Sequence, residues 1–113
     1  MTTALIFHFP YDGPWGKDMT LALGQLALDI AAEDGLVCKV WLEDREAGRA
    51  GGIYLFSDAA NAERYRAKHE ARLAATGHHG IEVIASPVNV ALSALTGAGF
   101  IVDKPGRGLA AAE

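Results

Sequence analysis

The sequence predicts a single α+β domain whose strands and helices follow the order βαββαβ. Short apolar runs alternate with two stretches whose apolar residues recur at helical spacing. The two middle runs are separated by a polar, glycine-containing segment, which is typical of a β-hairpin. A chain of 113 residues is long enough for one hydrophobic core. Together these observations indicate the split βαβ, or ferredoxin-like, arrangement, in which an antiparallel sheet carries both helices on one face.

The first half of the chain predicts a buried strand followed by an amphipathic helix. The apolar run at residues 5–9 ends at Pro10, and turn-forming residues follow at 12–14. The helix is expected to end near Gly35, because glycine can adopt the left-handed conformation that closes a helix. Its apolar face comprises Met19, Leu23, Leu26, Ala27 and Ile30.

The middle of the chain predicts a hairpin and a second amphipathic helix. Residues 36–43 and 52–56 are the hairpin strands, joined by a polar link. Ser57 or Asp58 can cap the next helix, which Gly77 ends. The inward stripe of this helix comprises Ala62, Tyr65, His69, Leu73 and Thr76.

The remaining residues complete the sheet and indicate a partner. Residues 81–88 predict the last strand, and residues 89–95 one or two further helical turns. The strands are apolar at nearly every position, which indicates that both faces of the sheet are buried. Because the helices cover only one face, we expect a homodimer packed sheet to sheet. Residues 1–96 then form the domain, and residues 97–113 form a C-terminal extension that either crosses to the partner subunit or frays.

The composition argues against several classes of function. The formal net charge is −4 and no run of Lys or Arg occurs, which disfavours binding to nucleic acid or an anionic membrane. The single cysteine, Cys38, excludes an internal disulfide and a cysteine-rich zinc site. His78 and His79 are adjacent in a predicted turn and cannot both face one metal, so no metal site is expected. Residues 1–10 lack the features of a signal peptide or a membrane span, and a cytoplasmic location is expected.

Several short segments resemble one protein family in their order and spacing. They are His8-Phe9, Asp12-Gly13-Pro14-Trp15-Gly16, Lys39-Val40-Trp41, Ala50-Gly51-Gly52-Ile53-Tyr54-Leu55-Phe56-Ser57-Asp58, Lys68-His69, Ala71-Arg72-Leu73, Val88-Asn89-Val90 and Leu92-Ser93. On these segments, within about residues 4–95, the chain resembles the YdhR family of monooxygenases. The resemblance implies a dimeric α+β barrel, in which two ferredoxin-like sheets pack face to face.

The resemblance also implies a reaction. It indicates kinship with antibiotic-biosynthesis-type monooxygenases, which oxidise polycyclic aromatic or quinol-like substrates with molecular oxygen and without flavin or metal. Such an enzyme needs a base that removes a proton from a phenol or an activated carbon, because only the electron-rich anion can pass an electron to oxygen. It also needs hydrogen-bond donors that hold the anion. We therefore expect no cofactor, and a small aromatic or quinol-like ligand in an apolar pocket.

Two histidines are candidates for the base. His69 is the first choice, since histidine titrates near neutral pH and this residue lies on the inward stripe of the second helix. His8, on the first strand, is the second choice. The alternative for either residue is a core or interface histidine that is hydrogen-bonded to the backbone.

Aromatic and apolar residues are candidates for binding the substrate. Trp41 and Tyr54, on the two hairpin strands, could offer an indole N–H, a phenol O–H and flat apolar surface, although core packing alone also explains them. Trp15 either closes over the pocket mouth or packs as a staple at the start of the first helix. Phe9 and Met19 are expected to complete the apolar lining.

Two polar residues have an open choice of role. Lys39 is a charge within an apolar strand, so it either points to solvent or binds an anionic group of the substrate. Asn89 either donates to an oxyanion or caps the short helix that follows. Gly51 and Gly52 precede a strand rather than a helix, which excludes a phosphate loop. They are expected to permit a bulge or a close approach of the neighbouring chain.

Two alternatives to catalysis stay open. The same apolar cavity could serve a non-catalytic dimer that binds or senses hydrophobic ligands, since aromatic walls bind such molecules whether or not they react. The dimer could also bind haem through His8 or His69. A histidine that faces the cavity favours catalysis or haem, whereas a purely apolar lining favours binding alone.

Overall fold

The computed structural model describes residues 1–103. Its four-stranded sheet is built from β1 (Thr3–Pro10), β2 (Leu36–Asp44), β3 (Arg49–Phe56) and β4 (Glu82–Pro87). The two long helices are α1 (Gly16–Ala31) and α2 (Ala59–Ala75). After β4 come α3 (Val90–Ser93), a π-helical segment (Ala94–Ala98) with a kink, and α4 (Phe100–Asp103). Within the described residues, no helix is both long and apolar enough to cross a membrane.

The strand order is β2-β3-β1-β4, and every neighbouring pair is antiparallel. This order confirms the predicted ferredoxin-like fold. Each long helix joins two strands that are separated by another strand, so α1 crosses over β3 and α2 crosses over β1. Both helices therefore lie against the sheet where they can enclose a cavity.

Strand register divides the side chains of the sheet between two faces. Two rows of paired residues, each running across all four strands, point toward the helices. They are Trp41-Gly52-Phe7-Val83 and Lys39-Tyr54-Leu5-Ala85. The side chains of Phe7, Tyr54 and Leu5 have no exposed surface, and we call this side the covered face. Successive side chains of a strand point to opposite sides. The row between them therefore points away from the helices, on what we call the open face, and comprises Val40, Ile53, Ile6 and Ile84.

Helix α2 is fixed by a cap and by its apolar stripe. The Asp58 carboxylate accepts a hydrogen bond from the Asn61 backbone N–H at 2.7 Å, which begins the helix. The buried stripe recurs at helical spacing and comprises Ala62, Tyr65, His69 and Leu73. Burying a side chain such as Leu73 contributes roughly 1.5–3 kcal/mol. The stripe thus holds His69 against the covered face.

The start of α1 is tied to the sheet rather than capped by its own side chain. Trp15, the residue before the helix, makes no side-chain capping bond. Instead, the Glu43 carboxylate on β2 accepts a hydrogen bond from the Gly16 backbone N–H at 2.8 Å. This long-range contact closes one end of the space between α1 and β2.

Gly51 and Gly52 permit close approaches within one chain. A Cβ atom at Gly51 would lie 1.9 Å from the backbone oxygen of Phe7 on β1, so the strand pairing requires glycine there. A Cβ atom at Gly52 would lie 2.6 Å from Cε of Lys39. Glycine at this position therefore leaves room for the Lys39 side chain to cross β3. These approaches involve β1 and β2 of the same subunit, and the predicted close approach of a neighbouring chain stays a prediction.

The open face is apolar and lies on the side of the sheet opposite to α1 and α2. Val40 is 52% exposed and Ile84 is 60% exposed. The predicted C-terminal extension begins at residue 97, and its described part includes the buried Ile101. Residues 104–113 lie outside the described residues, so the prediction that this extension crosses to a partner or frays stays a prediction.

Candidate functional site

A cavity of about 310 Å³ lies between the covered face and the two long helices. Its apolar lining includes Phe7, Phe9, Met19, Leu23, Leu26 and Leu73. Its aromatic and polar lining includes Tyr11, Lys39, Trp41, Tyr54, His69, Arg72, Thr76 and His78. Small-molecule sites are commonly apolar cavities of this size with a few convergent polar groups.

Most of the predicted site residues meet in this cavity. They are His69, Trp41, Tyr54, Lys39, Phe9 and Met19. His8 does not join them, because it lies on the open face. There its Nδ1 accepts a hydrogen bond from Arg49 Nε at 2.8 Å and lies 3.9 Å from a Glu82 carboxylate oxygen.

Trp15 and Asn89 also lie outside the lining of the cavity. Trp15 packs edge-on against Tyr11, with ring centroids 5.1 Å apart, and so braces a cavity residue from behind. The Asn89 side chain accepts a hydrogen bond from the Leu92 backbone N–H at 3.0 Å. Asn89 thus caps α3, which is one of the two roles that the sequence left open.

His69 is held in one orientation by three contacts. Its ring stacks on Tyr65, with centroids 5.1 Å apart, and meets Phe7 edge-on at 5.0 Å. Its Nδ1 accepts a hydrogen bond from Arg72 Nε at 3.2 Å. Because a guanidinium group can only donate, Nδ1 acts as the acceptor and the ring proton lies on Nε2. His69 is therefore set to donate through Nε2.

The surroundings of His69 also keep it neutral. Burial, followed by the positive charges of Lys39 and Arg72, lowers the pKa of His69 from 6.5 to about 3. The residue is only 3% exposed. A neutral imidazole with such a low pKa is a weak base, and its acceptor nitrogen already has a partner.

Lys39 extends from β2 across the glycine at position 52. Its Nζ lies 3.3 Å from the ring centroid of Trp41 and 4.6 Å from that of Tyr54. Burial, followed by the charge of Arg72, lowers the pKa of Lys39 from 10.5 to about 7. The Trp41 face opposes this shift, but cation–π contacts contribute only about 0.5–2 kcal/mol. Since one pKa unit is about 1.4 kcal/mol, the Lys39 pKa stays below its ordinary value.

The positive charges of the cavity have no acidic counterpart. Within residues 1–103, neither Lys39 nor Arg72 forms an ion pair with a carboxylate, and no Asp or Glu lines the cavity. The carboxylate of Glu33 pairs with Lys68 instead. Lys39 and Arg72 are half-buried, and charges that are partly removed from water are usually paired, so this arrangement favours a ligand that carries or develops negative charge.

A chain of hydrogen bonds leads from the arginine to a phenol in the cavity. Arg72 donates to the Tyr65 hydroxyl at 3.2 Å, and Tyr65 donates to the Tyr54 hydroxyl at 3.3 Å. Burial is the first cause that raises the pKa of both tyrosines, so both keep their protons at neutral pH. The Tyr54 O–H proton has no acceptor among the described residues, and it is available to a ligand.

The other end of the cavity is aromatic. Tyr11 stacks on His78 with centroids 6.0 Å apart, and Phe9 lies 5.1 Å from His78. The Tyr11 hydroxyl is buried and has no hydrogen-bond partner among the described residues. Burial, followed by the charge of Glu43, raises the pKa of Tyr11.

Sequence analysis missed Arg72 and Tyr11 as site residues. Arg72 lies three positions after His69, so both could have been assigned to one side of the second helix. Tyr11 continues the alternating buried positions of β1, but it directly follows Pro10, which indicated a turn. Among the described residues, no group of three or more His, Cys, Asp or Glu side chains could hold a metal ion.

Comparison with protein families decides the kinship of this chain. The family model described as "Putative mono-oxygenase ydhR" matches residues 4–99. The chain belongs to this family. The YdhR description indicates a mono-oxygenase, without naming a substrate. No curated protein matches the chain.

Three solved structures have a fold similar to that of this YdhR-family chain. A mutant of SnoaB, a cofactor-independent oxygenase from Streptomyces nogalater, is 17% identical and has a TM-score of 0.57, over 78% of this chain and 93% of SnoaB. The NE2512 protein of unknown function from Nitrosomonas europaea is 19% identical, with a TM-score of 0.55 over 78% and 89% of the chains. An antibiotic biosynthesis monooxygenase from Deinococcus radiodurans, itself described as putative, is 14% identical, with a TM-score of 0.50 over 79% and 93%. At these identities the likeness shows a shared fold.

Proposed function

We propose that this YdhR-family protein is a cofactor-independent monooxygenase that oxidises a small aromatic or quinol-like compound in the cavity. The observation that carries the proposal is the meeting of Lys39, Arg72, His69 and Tyr54 in an apolar cavity whose described lining includes no carboxylate. Donors and positive charges that converge in a dry site stabilise a developing anion strongly. The family description and the SnoaB fold support the same class of reaction.

The reaction needs no external reductant. Loss of a hydroxyl proton turns the aromatic substrate into an electron-rich anion, which passes one electron to O₂. The resulting substrate radical and superoxide then combine through a new C–O bond. The peroxide on this ring carbon then loses water, which breaks the O–O bond and the remaining C–H bond of that carbon and leaves a ring carbonyl. Counted from the keto tautomer of the substrate, a ring CH₂ group and O₂ give a ring carbonyl and water, so the substrate supplies all four electrons.

The cavity residues divide this work between them. His69 Nε2–H and the Tyr54 hydroxyl donate to the oxygen that becomes negative. Trp41, Phe9 and Met19 hold the ring by apolar contact. The role of His69 as the base stays a prediction, because Arg72 occupies Nδ1 and supports a donor role at Nε2 instead.

The proposed working unit is a homodimer. Its interface is the open face, where the row Val40-Ile53-Ile6-Ile84 runs across all four strands on the side opposite to α1 and α2. A second copy of the same row would bury this apolar surface by a two-fold contact. The proposed compartment is the cytoplasm, which fits a chain with a single cysteine.

The test is oxygen uptake by the purified protein with a panel of naphthols and anthrones. Binding of each compound is first measured by calorimetry, and EDTA is present throughout to remove adventitious metal. We expect at least one bound compound to be consumed with one equivalent of O₂, giving a ring carbonyl. If compounds of the panel bind in the cavity but none of them is oxidised, the proposal is contradicted.

A non-catalytic binding dimer is the second candidate, and the largely apolar lining of the cavity favours it. Binding of the same compounds without their oxidation would support this candidate. Haem is tested separately by titration. A Soret band that is lost in His69→Ala would identify a haem protein, whereas an unchanged absorption spectrum would remove that alternative.

A further inference from the structure

Lys39 differs from every other charged group of the site in having no polar partner. No hydrogen bond or ion pair joins its Nζ to another described residue, and its contacts there are the ring faces of Trp41 and Tyr54. The Lys39 side chain lines the cavity. Its Nζ can therefore meet a ligand without first breaking a hydrogen bond or an ion pair to a described residue.

The other titratable groups near Lys39 are poorly placed to act as a base. On α2, the acceptor nitrogen of His69 is taken by Arg72, and Arg72 also donates to Tyr65. On β3, the Tyr54 hydroxyl accepts from Tyr65. The cavity residues of α1 and the nearest cavity residue of β1, Phe7, are apolar. A neutral Lys39 would thus offer the one unengaged nitrogen lone pair among the described groups at this end.

We propose that Lys39 is the base that removes the proton from an aromatic hydroxyl of the substrate. The substrate class is therefore phenols and naphthols that insert this hydroxyl at the Lys39 end of the cavity. In the step, the aryl O–H bond breaks and an N–H bond forms on Nζ, leaving an ammonium group beside an aryloxide. This inference rests on the proposed monooxygenase function.

The state of Lys39 fits this role. Burial and the charge of Arg72 hold its pKa near 7, so a large fraction is the neutral amine at neutral pH. Catalytic bases work best when their pKa lies near the working pH. After proton transfer, the new ammonium is opposite a negative charge, which is the counterion that this end of the cavity lacks.

The experiment counts protons on binding, under nitrogen, so that no oxidation occurs. A naphthol is titrated into the protein at pH 6 and at pH 8, and its absorption spectrum reports whether the bound form is the naphtholate. Proton release is measured from the buffer dependence of the binding enthalpy. We expect bound naphtholate at both pH values, with about one proton released at pH 6 and close to none at pH 8, because neutral Lys39 keeps the proton there.

Three variants assign this pattern to Lys39. Lys39→Met removes both base and charge, so the naphthol should bind without ionising at either pH. Lys39→Arg keeps the charge but has no usable lone pair, so ionisation should release one proton at pH 8 as well as at pH 6. Lys17→Met changes an exposed lysine of α1 and should behave as the wild type.

Two results would overturn the inference. One is release of a full proton at pH 8 by the wild type, which would show Lys39 acting only as a cation. The other is an un-ionised naphthol, or no binding of any hydroxylated ring, in the wild type. Proton release and the naphthol spectrum are measured without oxygen, so they test the role of Lys39 even if no oxygen uptake is found. Where uptake occurs, Lys39→Met should lower kcat/KM by ~10²- to 10⁴-fold at neutral pH.

Discussion

The two candidate histidines face opposite sides of the sheet. His8 lies on the open face, with a side chain that is 39% exposed, and a carboxylate oxygen of Glu82 lies 3.9 Å away. His69 projects from α2 toward the covered face and is 3% exposed. An arginine donates to Nδ1 of each ring, Arg49 to His8 and Arg72 to His69. Both histidines therefore have an arginine partner, but only His8 also has a carboxylate nearby among the described residues.

On the open face, Glu82 balances Arg49, with nitrogen and oxygen 3.4 Å apart. In the cavity, Lys39 and Arg72 meet without a described carboxylate. Lys39 and Arg72 are half-buried, and positive charge that is partly removed from water without a partner lowers the stability of the ligand-free protein. The comparison teaches that the missing counter-charge, more than the presence of a histidine, distinguishes the candidate site from an ordinary surface network.

The largest difference between two matched variants is expected from removing one histidine at a time. His69→Ala should lower kcat by ~10²- to 10³-fold, the usual loss for one donor to a developing oxyanion. His8→Ala should leave kcat close to the wild-type value, since it lies on the other face. Steady-state oxygen uptake checks both, and a similar loss in the two variants would break the comparison.

A conservative variant separates the two possible roles of His69. His69→Gln keeps an N–H donor but cannot act as a base at neutral pH. If His69 donates through Nε2, kcat should recover part of what His69→Ala loses. If Gln is as inactive as Ala, while circular dichroism shows both variants folded, the predicted role as base is favoured over the donor role.

Variants of Gly51 and Gly52 separate an effect on stability from an effect on activity. Gly51→Ala would push a Cβ against the β1 backbone and should cost ~2–4 kcal/mol of unfolding free energy. Gly52→Ala would place its Cβ 2.6 Å from the flexible Lys39 side chain, and 3.3 Å from Tyr54 Cε1 and from the Val40 backbone oxygen. Because the severest clash is with a side chain that can move, this variant should cost less stability than Gly51→Ala but reduce oxygen uptake by moving Nζ. Urea unfolding and kcat/KM are measured on both variants. Equal stability losses would mean that Gly52 serves the sheet rather than Lys39.

The open face is tested by a charge placed in its apolar row. Val40→Lys puts a lysine in the proposed interface of each subunit and should weaken the dimer by roughly 1–2 kcal/mol, or more where like charges meet. Leu28→Lys, on an exposed α1 residue, is the matched control. Light scattering across a concentration series gives the dissociation constant. A monomeric wild type, or equal weakening by both variants, would refute the proposed interface.

Much of the fold follows from local pattern in the sequence. The stripe through Tyr65, His69 and Leu73 and the turn residues around the hairpin predict each element, and the order of elements leaves one common arrangement. Element bounds shift by a few residues; for example, β3 begins at Arg49 where the sequence indicated residue 52. Strand alternation is hidden in β2, where a register irregularity between Leu36 and Cys38 shifts the side chains.

The site is less predictable, because it depends on which side of the sheet each residue faces. His8 is a histidine on a central strand, as a catalytic residue could be. Only its register with Gly51 and Glu82 shows that its side chain lies on the open face. Lys39 was left between solvent and substrate for the same reason. The role of Arg72 depends on distances between side chains of α2 and β3, which no spacing along the chain specifies.

The last expected effect is a pH dependence of stability to which His69 contributes. Its pKa is about 3 in the folded state and ~6.5 in the unfolded state, so only the unfolded state gains this proton as the pH falls below 6.5. Stability should therefore decrease on acidification, by about 2 kcal/mol at most between pH 7 and pH 5. Urea unfolding at both pH values should show this loss in the wild type and in His8→Gln, and much less of it in His69→Gln. If all three proteins lose the same amount of stability, the pKa of His69 is not lowered in the folded state. The proposed electrostatic difference between the two histidines would then be wrong.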